Sequence, residues 1–336
     1  MMLNVAIQGA GNVSTEHIRA YMNNPHTRVV AIGSRTLEGA KKKAEQMGLD
    51  CAVYDNYEDL LNHPGGLDII SICTPPHLHA QECIMAAERG IHVLVEKPIA
   101  LNQKDVEAMA AAVRKAGVKS AVGFVLRWNP LIMTIKKAIK DGWVGRPLVV
   151  HADYWHGPQN LRPKGVQRSW EALAGGAMVQ GGCHAVDAAR FILDNELITQ
   201  VSAVCPEDEP KEKQQITVST VTFSGGAVGK ISASQRFYMP YVFNIEVFGD
   251  EGVIRNNRFY SKQWPGQHDF VTLPTVVPDS GDVDHHPFQG LIDHLVECIQ
   301  TDTESHNSIE VAVNTHAACF GAEQSAADGS APVKLV

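Results

Sequence analysis

Short apolar runs alternate with amphipathic stretches throughout residues 1–123, and that alternation leaves few folds open. Leu3 to Gln8 is an apolar run closed by glycine, and Ser14 to Asn23 carries Ile18, Tyr21 and Met22 at helical spacing. Arg28 to Gly33 reads as a second strand and Thr36 to Met47 as a second helix, with Gly48 where a C-cap belongs. Leu67 to Cys73 reads as a buried strand. The helix after it puts Ala80, Cys83, Ile84 and Ala87 on one face and stops at Gly90. A strand over Ile91 to Val95, a helix over 103–116 and a strand over Lys119 to Gly123 complete the series. Strands that alternate with helices form right-handed βαβ units around a parallel sheet, so a doubly wound α/β domain is expected over residues 1–123.

After Gly123 the pattern changes. One helix, Leu131 to Lys140, leads into strand-like runs at 147–155, 197–204, 215–223, 227–236 and 241–248. Thr222 to Val228, with Gly225-Gly226 at its centre, reads as a β-hairpin. Helical pattern returns at 184–193, 287–300 and 309–327. Clustered strands with segregated helices describe a second, α+β domain over residues 124–336. Two domains also suit a length of 336 residues, about twice that of a typical domain.

Several function classes drop out. A net charge of −8, with no basic stripe, argues against a nucleic-acid partner. The run Lys41-Lys42-Lys43 reads as a solvated helix face. No apolar run approaches the roughly 20 residues that span a bilayer, and the opening MMLNVAIQGAG lacks the basic and apolar regions of a signal peptide. Seven cysteines without a CxxC pair read as reduced thiols of a cytoplasmic protein. His151, Asp153 and His156, or His285-His286, supply no full metal-ligand set, so no metal is expected.

Gly9-Ala10-Gly11-Asn12-Val13-Ser14 falls between the first strand and the first helix. Glycine serves the tight turn and again where the backbone approaches a pyrophosphate, which the helix N-terminus then binds. Ser14 holds the third position, small though not glycine. In this context the motif reads as a Rossmann-type dinucleotide site built from Gly9, Gly11, Asn12 and Val13. An NAD site would end the second strand with an acidic residue for the ribose 2′-hydroxyl, but here the sequence is Gly33-Ser34-Arg35-Thr36. Ser34 and Arg35 can hold a 2′-phosphate with charge-assisted bonds. NADP(H) is therefore the preferred cofactor, and NAD(H), with Arg35 merely facing solvent, is the alternative.

Three further motifs resemble the Gfo/Idh/MocA family of dehydrogenases and reductases: Thr74-Pro75-Pro76-His77-Leu78-His79, Glu96-Lys97-Pro98, and Gly175-Gly176 followed by Gly182-Cys183-His184 and Asp187. The resemblance spans essentially the whole chain. It implies a Rossmann domain followed by a C-terminal α+β domain, whose large, mostly antiparallel open sheet supports homodimers or homotetramers. It also implies a small polyhydroxylated substrate: a sugar, a cyclitol or a related polyol. Thr74, Pro75 and His77 would lie beside the cofactor, Glu96 would position local structure or the cofactor ribose, and Lys97 would contact both cofactor and substrate.

Glu96-Lys97-Pro98 follows a parallel strand, at the edge where open α/β sheets bind ligands. A lysine there can donate to a substrate oxygen and stabilise an alkoxide-like charge. His184 and Asp187, three apart on a helix, project toward one face. Such a histidine can take the proton of an alcohol as it becomes a ketone, with Asp187 fixing the ring or binding a hydroxyl. The family's usual aspartate four residues before the histidine is Gln180 here, which cannot take a proton but can bond hydroxyls. Arg127, Asn129, Trp155, His156, Arg168, Trp170 and His286 are further pocket candidates, with aromatic faces and forked donors suited to sugars. These residues describe an NAD(P)-dependent oxidoreductase that moves hydride between nicotinamide and a hydroxyl or keto carbon. The alternatives are a redox-recycling glycosidase or lyase with tightly bound NAD(H), and a non-catalytic dinucleotide-binding sensor.

Overall fold

The structure is a computed structural model that describes residues 2–157, 175–210, 213–275 and 286–335. The chain divides into two compact units, Met1–Val125 with Val283–Val313, and Leu126–Asp282 with Asn314–Val336. The segment Val283–Val313 thus groups with the first unit, so the chain leaves that unit after Val125 and returns to it.

The first unit opens with β1 (Leu3–Gln8), α1 (Asn12–Asn23), β2 (Thr27–Gly33) and α2 (Leu37–Met47). It continues through β3 (Ala52–Tyr54), α3 (Tyr57–Leu61), β4 (Ile69–Ile72), α4 (Pro76–Ala87), β5 (His92–Val95), α5 (Gln103–Ala116) and β6 (Ser120–Val122). All pairings in its sheet are parallel, in the order β3-β2-β1-β4-β5-β6. A parallel sheet is covered on both faces, which is why β4 (IISI) is buried at every position and reads as a continuous apolar run. The order reverses between β1 and β4, and at that switch point the carboxyl ends of the strands leave room for a ligand.

The second unit contains α6 (Pro130–Lys140), β7 (Pro147–Trp155), α7 (Cys183–Ile192), β8 (Ile198–Val204), β9 (Ile216–Phe223), β10 (Val228–Ser234) and β11 (Val242–Gly249). Three short strands follow, β12 (Gly252–Arg255), β13 (Arg258–Ser261) and β14 (Val271–Thr272). The sheet order is β14-β13-β12-β11-β7-β10-β9-β8-β15, where β15 is Val333–Lys334; every pairing is antiparallel except β7 with β10. The expected hairpin joins β9 to β10, with Val228 opposite Thr222. Helix α7 packs on β7, β10 and β11, and the strands alternate: Phe243, Ile245 and Val247 of β11 are buried, while Asn244 and Glu246 between them are half-buried.

The returning segment supplies α8 (Phe288–Thr301), and α9 (Ile309–Ala327) begins within it. α8 packs on α1, where Gln289 donates to the Ala20 carbonyl at 3.2 Å and Asn24 to Asp293 at 2.7 Å. Asn307 and Ile309 bind β6, through the Val122 carbonyl at 2.6 Å and the Ser120 hydroxyl at 3.1 Å. None of the seven cysteines is in a disulfide. Among the described residues no helix is long and apolar enough to cross a membrane.

Candidate active site

The turn after β1 depends on Gly9. Its φ of +106° suits glycine alone, and a Cβ there would lie 2.7 Å from the Cys73 carbonyl at the end of β4. Gly11, by contrast, faces open space, since a Cβ built on it meets nothing within 4 Å. Gly11 and Asn12 are exposed and Val13 is half-buried, so the first amides of α1 point into an uncovered cradle. The Ser14 hydroxyl donates back to the Gly11 carbonyl at 2.7 Å, which accounts for a small polar residue at the third position. A helix N-terminus with this open approach, and no acidic residue in its first turn, fits a pyrophosphate.

The neighbouring strand ends complete that edge. After β2, Ser34 is half-buried and Arg35 exposed, while Thr36 caps α2 by accepting from Gly39 N at 3.2 Å. After β4, Thr74 and Pro75 are half-buried and His77 is exposed on the first turn of α4. Thr74 donates to Glu82, which also accepts from Gln8 Nε2 at 2.7 Å; burial pushes the Glu82 carboxyl up to about 7 against these two bonds. Glu82 thereby ties the ends of β1 and β4 together, a role that no local motif announces. After β5 come buried Glu96 and half-buried Lys97, whose peptide bond to Pro98 is cis. His79, buried in α4, has Nε2 2.7 Å from the Thr74 carbonyl oxygen and Nδ1 3.0 Å from that of Pro98, so it joins the two loops.

In the second unit, His184 lies in the first turn of α7, a helix buried along its whole length. A π-helical turn, Met178–Gly182, leads into it. Single π turns are common where a side chain must be placed for function. Gly181 is required there because a Cβ would meet the Tyr154 ring at 2.3 Å. The Tyr154 ring in turn stacks on His184, with centroids 5.8 Å apart and planes inclined by 21°. The turn is held by Glu323 of α9, whose carboxylate accepts from Gly176 N at 3.3 Å and Val179 N at 3.1 Å. Gln180 donates to the Gly175 carbonyl at 2.7 Å and accepts from Gln235 Nε2 at 3.1 Å. An aspartate or glutamate here would set two oxygens against each other, so the departure from the family's usual residue has a local cause.

Several expected pocket residues stand elsewhere. Arg127 and Asp187, expected at the substrate, hold each other. Arg127 Nε and Nη2 donate to the two Asp187 oxygens at 2.8 and 2.6 Å, and both side chains are almost fully buried. Both oxygens of Asp187 are thus engaged by a guanidinium, a different task from orienting His184 or binding a hydroxyl. Trp155 is not brought to His184. Its Nε1 donates to Ser232 Oγ at 2.8 Å, on the face opposite Tyr154, because successive strand residues point to opposite faces. Tyr154 is the residue that sequence reading passed over by one position. Asn129 caps α6, and His156 lies 2.9 Å from the Gly157 carbonyl oxygen. His286 lies with its ring 6.4 Å from that of Phe288. Arg168, Trp170 and His285 fall outside the described residues. Lys43 is buried rather than solvated, donating to Thr15 Oγ1 at 2.7 Å.

Residues 3–124 match the oxidoreductase family with an NAD-binding Rossmann fold named GFO/IDH/MocA, and residues 132–255 match the C-terminal domain of the same family. An uncharacterized oxidoreductase of Bacillus subtilis, YrbE, is 31% identical over 73% of this chain and 71% of its own length. The scyllo-inositol 2-dehydrogenase (NAD(+)) of Bacillus subtilis is 27% identical over 92% of this chain and 91% of its own. Among solved structures, an oxidoreductase from Agrobacterium radiobacter in complex with NAD+, L-tartaric acid and magnesium superposes with a TM-score of 0.83. It shares 22% identity and is matched over 100% of this chain and 99% of its own. Both halves of the sequence and the glycine turn, Glu96-Lys97-Pro98 and His184 motifs agree: the chain belongs to the Gfo/Idh/MocA family of oxidoreductases.

Proposed function

We propose that this protein is an NAD(P)-dependent dehydrogenase or reductase acting on a CH–OH or keto carbon of a sugar, cyclitol or related polyol, with NADP(H) preferred. The observation that carries this reading is the gathering of one set of groups along the carboxyl edge of the parallel sheet: the open glycine turn after β1, Ser34 and Arg35 after β2, Thr74 and Pro75 after β4, and Lys97 after β5. Relatives support the substrate class, since one that aligns over most of this chain is a scyllo-inositol dehydrogenase.

The glycine turn after β1 and the loops after β2, β4 and β5 would hold the dinucleotide, which would supply hydride chemistry through its nicotinamide. The chain supplies the rest. The Lys97 ammonium donates to the reacting oxygen and offsets negative charge that develops on it. His184, stacked on Tyr154, takes the hydroxyl proton during oxidation and returns it during reduction. Gln180 bonds a substrate hydroxyl without exchanging protons. Arg127 and Asp187 anchor α7 so that His184 keeps its place. A cytoplasmic homodimer or homotetramer, assembled on the open face of the nine-stranded sheet, completes the proposal; Val218 and Val228 on that face are 40% and 47% exposed.

Nicotinamide absorbance tests the reading. Purified protein is offered NADP+ and NAD+ in turn with a panel of sugars, cyclitols and sugar acids. Cofactor-dependent reduction is expected. Lys97→Ala should abolish it, with a loss of at least about 100-fold, while dinucleotide binding followed by fluorescence is kept. Dinucleotide that co-purifies without turnover on any substrate would point instead to internal redox recycling or sensing.

A further inference from the structure

His17 of α1 lies three residues past the glycine motif and belongs to none of the motifs, yet it is wholly buried beneath the Glu96-Lys97-Pro98 turn. Its Nε2 is 2.9 Å from Glu96 Oε1, and its Nδ1 is 2.7 Å from Ser71 Oγ on β4. The ring of Phe288 from α8 covers it at 5.2 Å. The other Glu96 oxygen, Oε2, accepts from the backbone N–H of Lys97 at 3.2 Å. On the far side of the turn, His79 reaches the Pro98 carbonyl from α4. α1 and α4 lie on opposite faces of a sheet whose order reverses between β1 and β4, so the turn is gripped from both layers.

A buried carboxylate needs a reason to be there, since taking it out of water costs several kcal/mol unless it is paired. Glu96 cannot be explained as a ligand group alone, because one oxygen is committed to His17 and the other to the Lys97 amide. We propose that His17 is a positioning residue for Lys97. It holds the Glu96 carboxylate against the Lys97 backbone and shields part of the negative charge that the Lys97 amine senses. The inference rests on the role proposed above for Lys97.

The surroundings support this arrangement. Burial alone would favour a neutral imidazole, but Cys73 at the end of β4 and the Glu96 carboxylate outweigh it and hold the His17 pKa above the ordinary histidine value. Burial likewise favours a neutral Glu96, yet His17, Lys97 and, more weakly, His79 keep its pKa below the ordinary value. A further polar neighbour is Tyr21, which shares Ser71 and sits fully buried with its own pKa raised by that burial. His17 and Glu96 therefore favour each other's charged forms, next to the amine that meets the substrate.

The test follows the Lys97 amine directly. The full-length protein is labelled with [ε-13C]lysine, the Lys97 signal is identified by its loss in Lys97→Arg, and its titration is followed by NMR. In His17→Gln the carboxylate loses its shield, and Lys97 should titrate higher by about one pH unit. In Glu96→Gln the carboxylate is gone, and Lys97 should titrate lower by a similar amount. The double variant should behave like Glu96→Gln. The alkaline limb of turnover should move in the same order. Equal titration in all four proteins, or a shift in the same direction for both single variants, would overturn the inference. If His17→Gln does not fold, Glu96→Gln decides alone, and a Lys97 titration unchanged from the parent is then the overturning result. A Lys97→Ala protein with full turnover would sink the proposed function, whereas an inactive Lys97→Ala with a flat titration series would sink only the role of His17.

Discussion

Arg35 stands exposed just past β2, with no acidic side chain between Gly33 and Leu37. If it holds a 2′-phosphate, the bond is charge-assisted and worth about 1.5–3 kcal/mol. Arg35→Ala should then raise KM for NADP+ by about 10- to 150-fold and leave KM for NAD+ within about twofold. Equal effects on the two cofactors would remove Arg35 from the binding site. Residues of this kind are legible in sequence because their meaning is local. Gly9 announces a turn and Lys97 follows a recognisable strand. His17, Glu82 and His79 are different. Each matters through partners that the fold brings near, Ser71 and Glu96 for His17, Gln8 and Thr74 for Glu82. Nothing beside His17 in the sequence distinguishes it from an ordinary helix histidine. The buried Lys43 was hidden for the opposite reason, since its neighbours Lys41 and Lys42 are exposed and made the whole run look solvated.

At the scale of elements, α7 shows what helical spacing could and could not convey. The spacing of His184 and Asp187 placed both on one helix, but it could not show that Arg127 would take both Asp187 oxygens. That pair is desolvated, so removing one partner strands a buried charge. Arg127→Met should lower unfolding free energy by about 3–5 kcal/mol, read from urea midpoints at constant m-value. The double variant Arg127→Met with Asp187→Leu should recover most of the loss, because a matched apolar pair leaves no charge behind. A single variant within about 0.5 kcal/mol of the parent would show that the pair is not a structural anchor. The same scale explains the miss at β7. Trp155 is the larger aromatic and attracts attention as a sugar platform, but strand alternation gives the place beside His184 to Tyr154. Which face of a strand is which depends on pairing register, and register is not written in one strand.

Across the molecule, the doubly wound sheet was readable from periodicity alone, and so were the long strands of the second sheet and its hairpin. The short strands β3, β12, β13, β14 and β15, of two to four residues each, escaped. The buried His17–Glu96 pair gives the whole fold a pH dependence. The folded pKa of His17 lies above 6.5, so the native state retains a proton that the unfolded chain releases. Its contribution is full below pH 6.5 and is lost as pH rises through the alkaline range. Chemical denaturation should therefore show stability falling between pH 7 and pH 9, and the slope should flatten in the variant carrying both His17→Gln and Glu96→Gln. Stability that rises over that interval would contradict this reading.

The return of residues 283–313 to the first unit has a consequence for how the chain comes off the ribosome. The dinucleotide-binding half is begun first and finished late. α1 emerges with the surface that α8 will cover, and β6 emerges without Asn307 and Ile309, while about 160 residues of the other unit have yet to be translated. Each half is thus interrupted by the other: residues 126–282 of the second are synthesised within a pause in the making of the first, and residues 314–336 complete it afterwards. A message truncated between the two segments of the first half, before codon 283, yields a nucleotide domain with its α1 flank open.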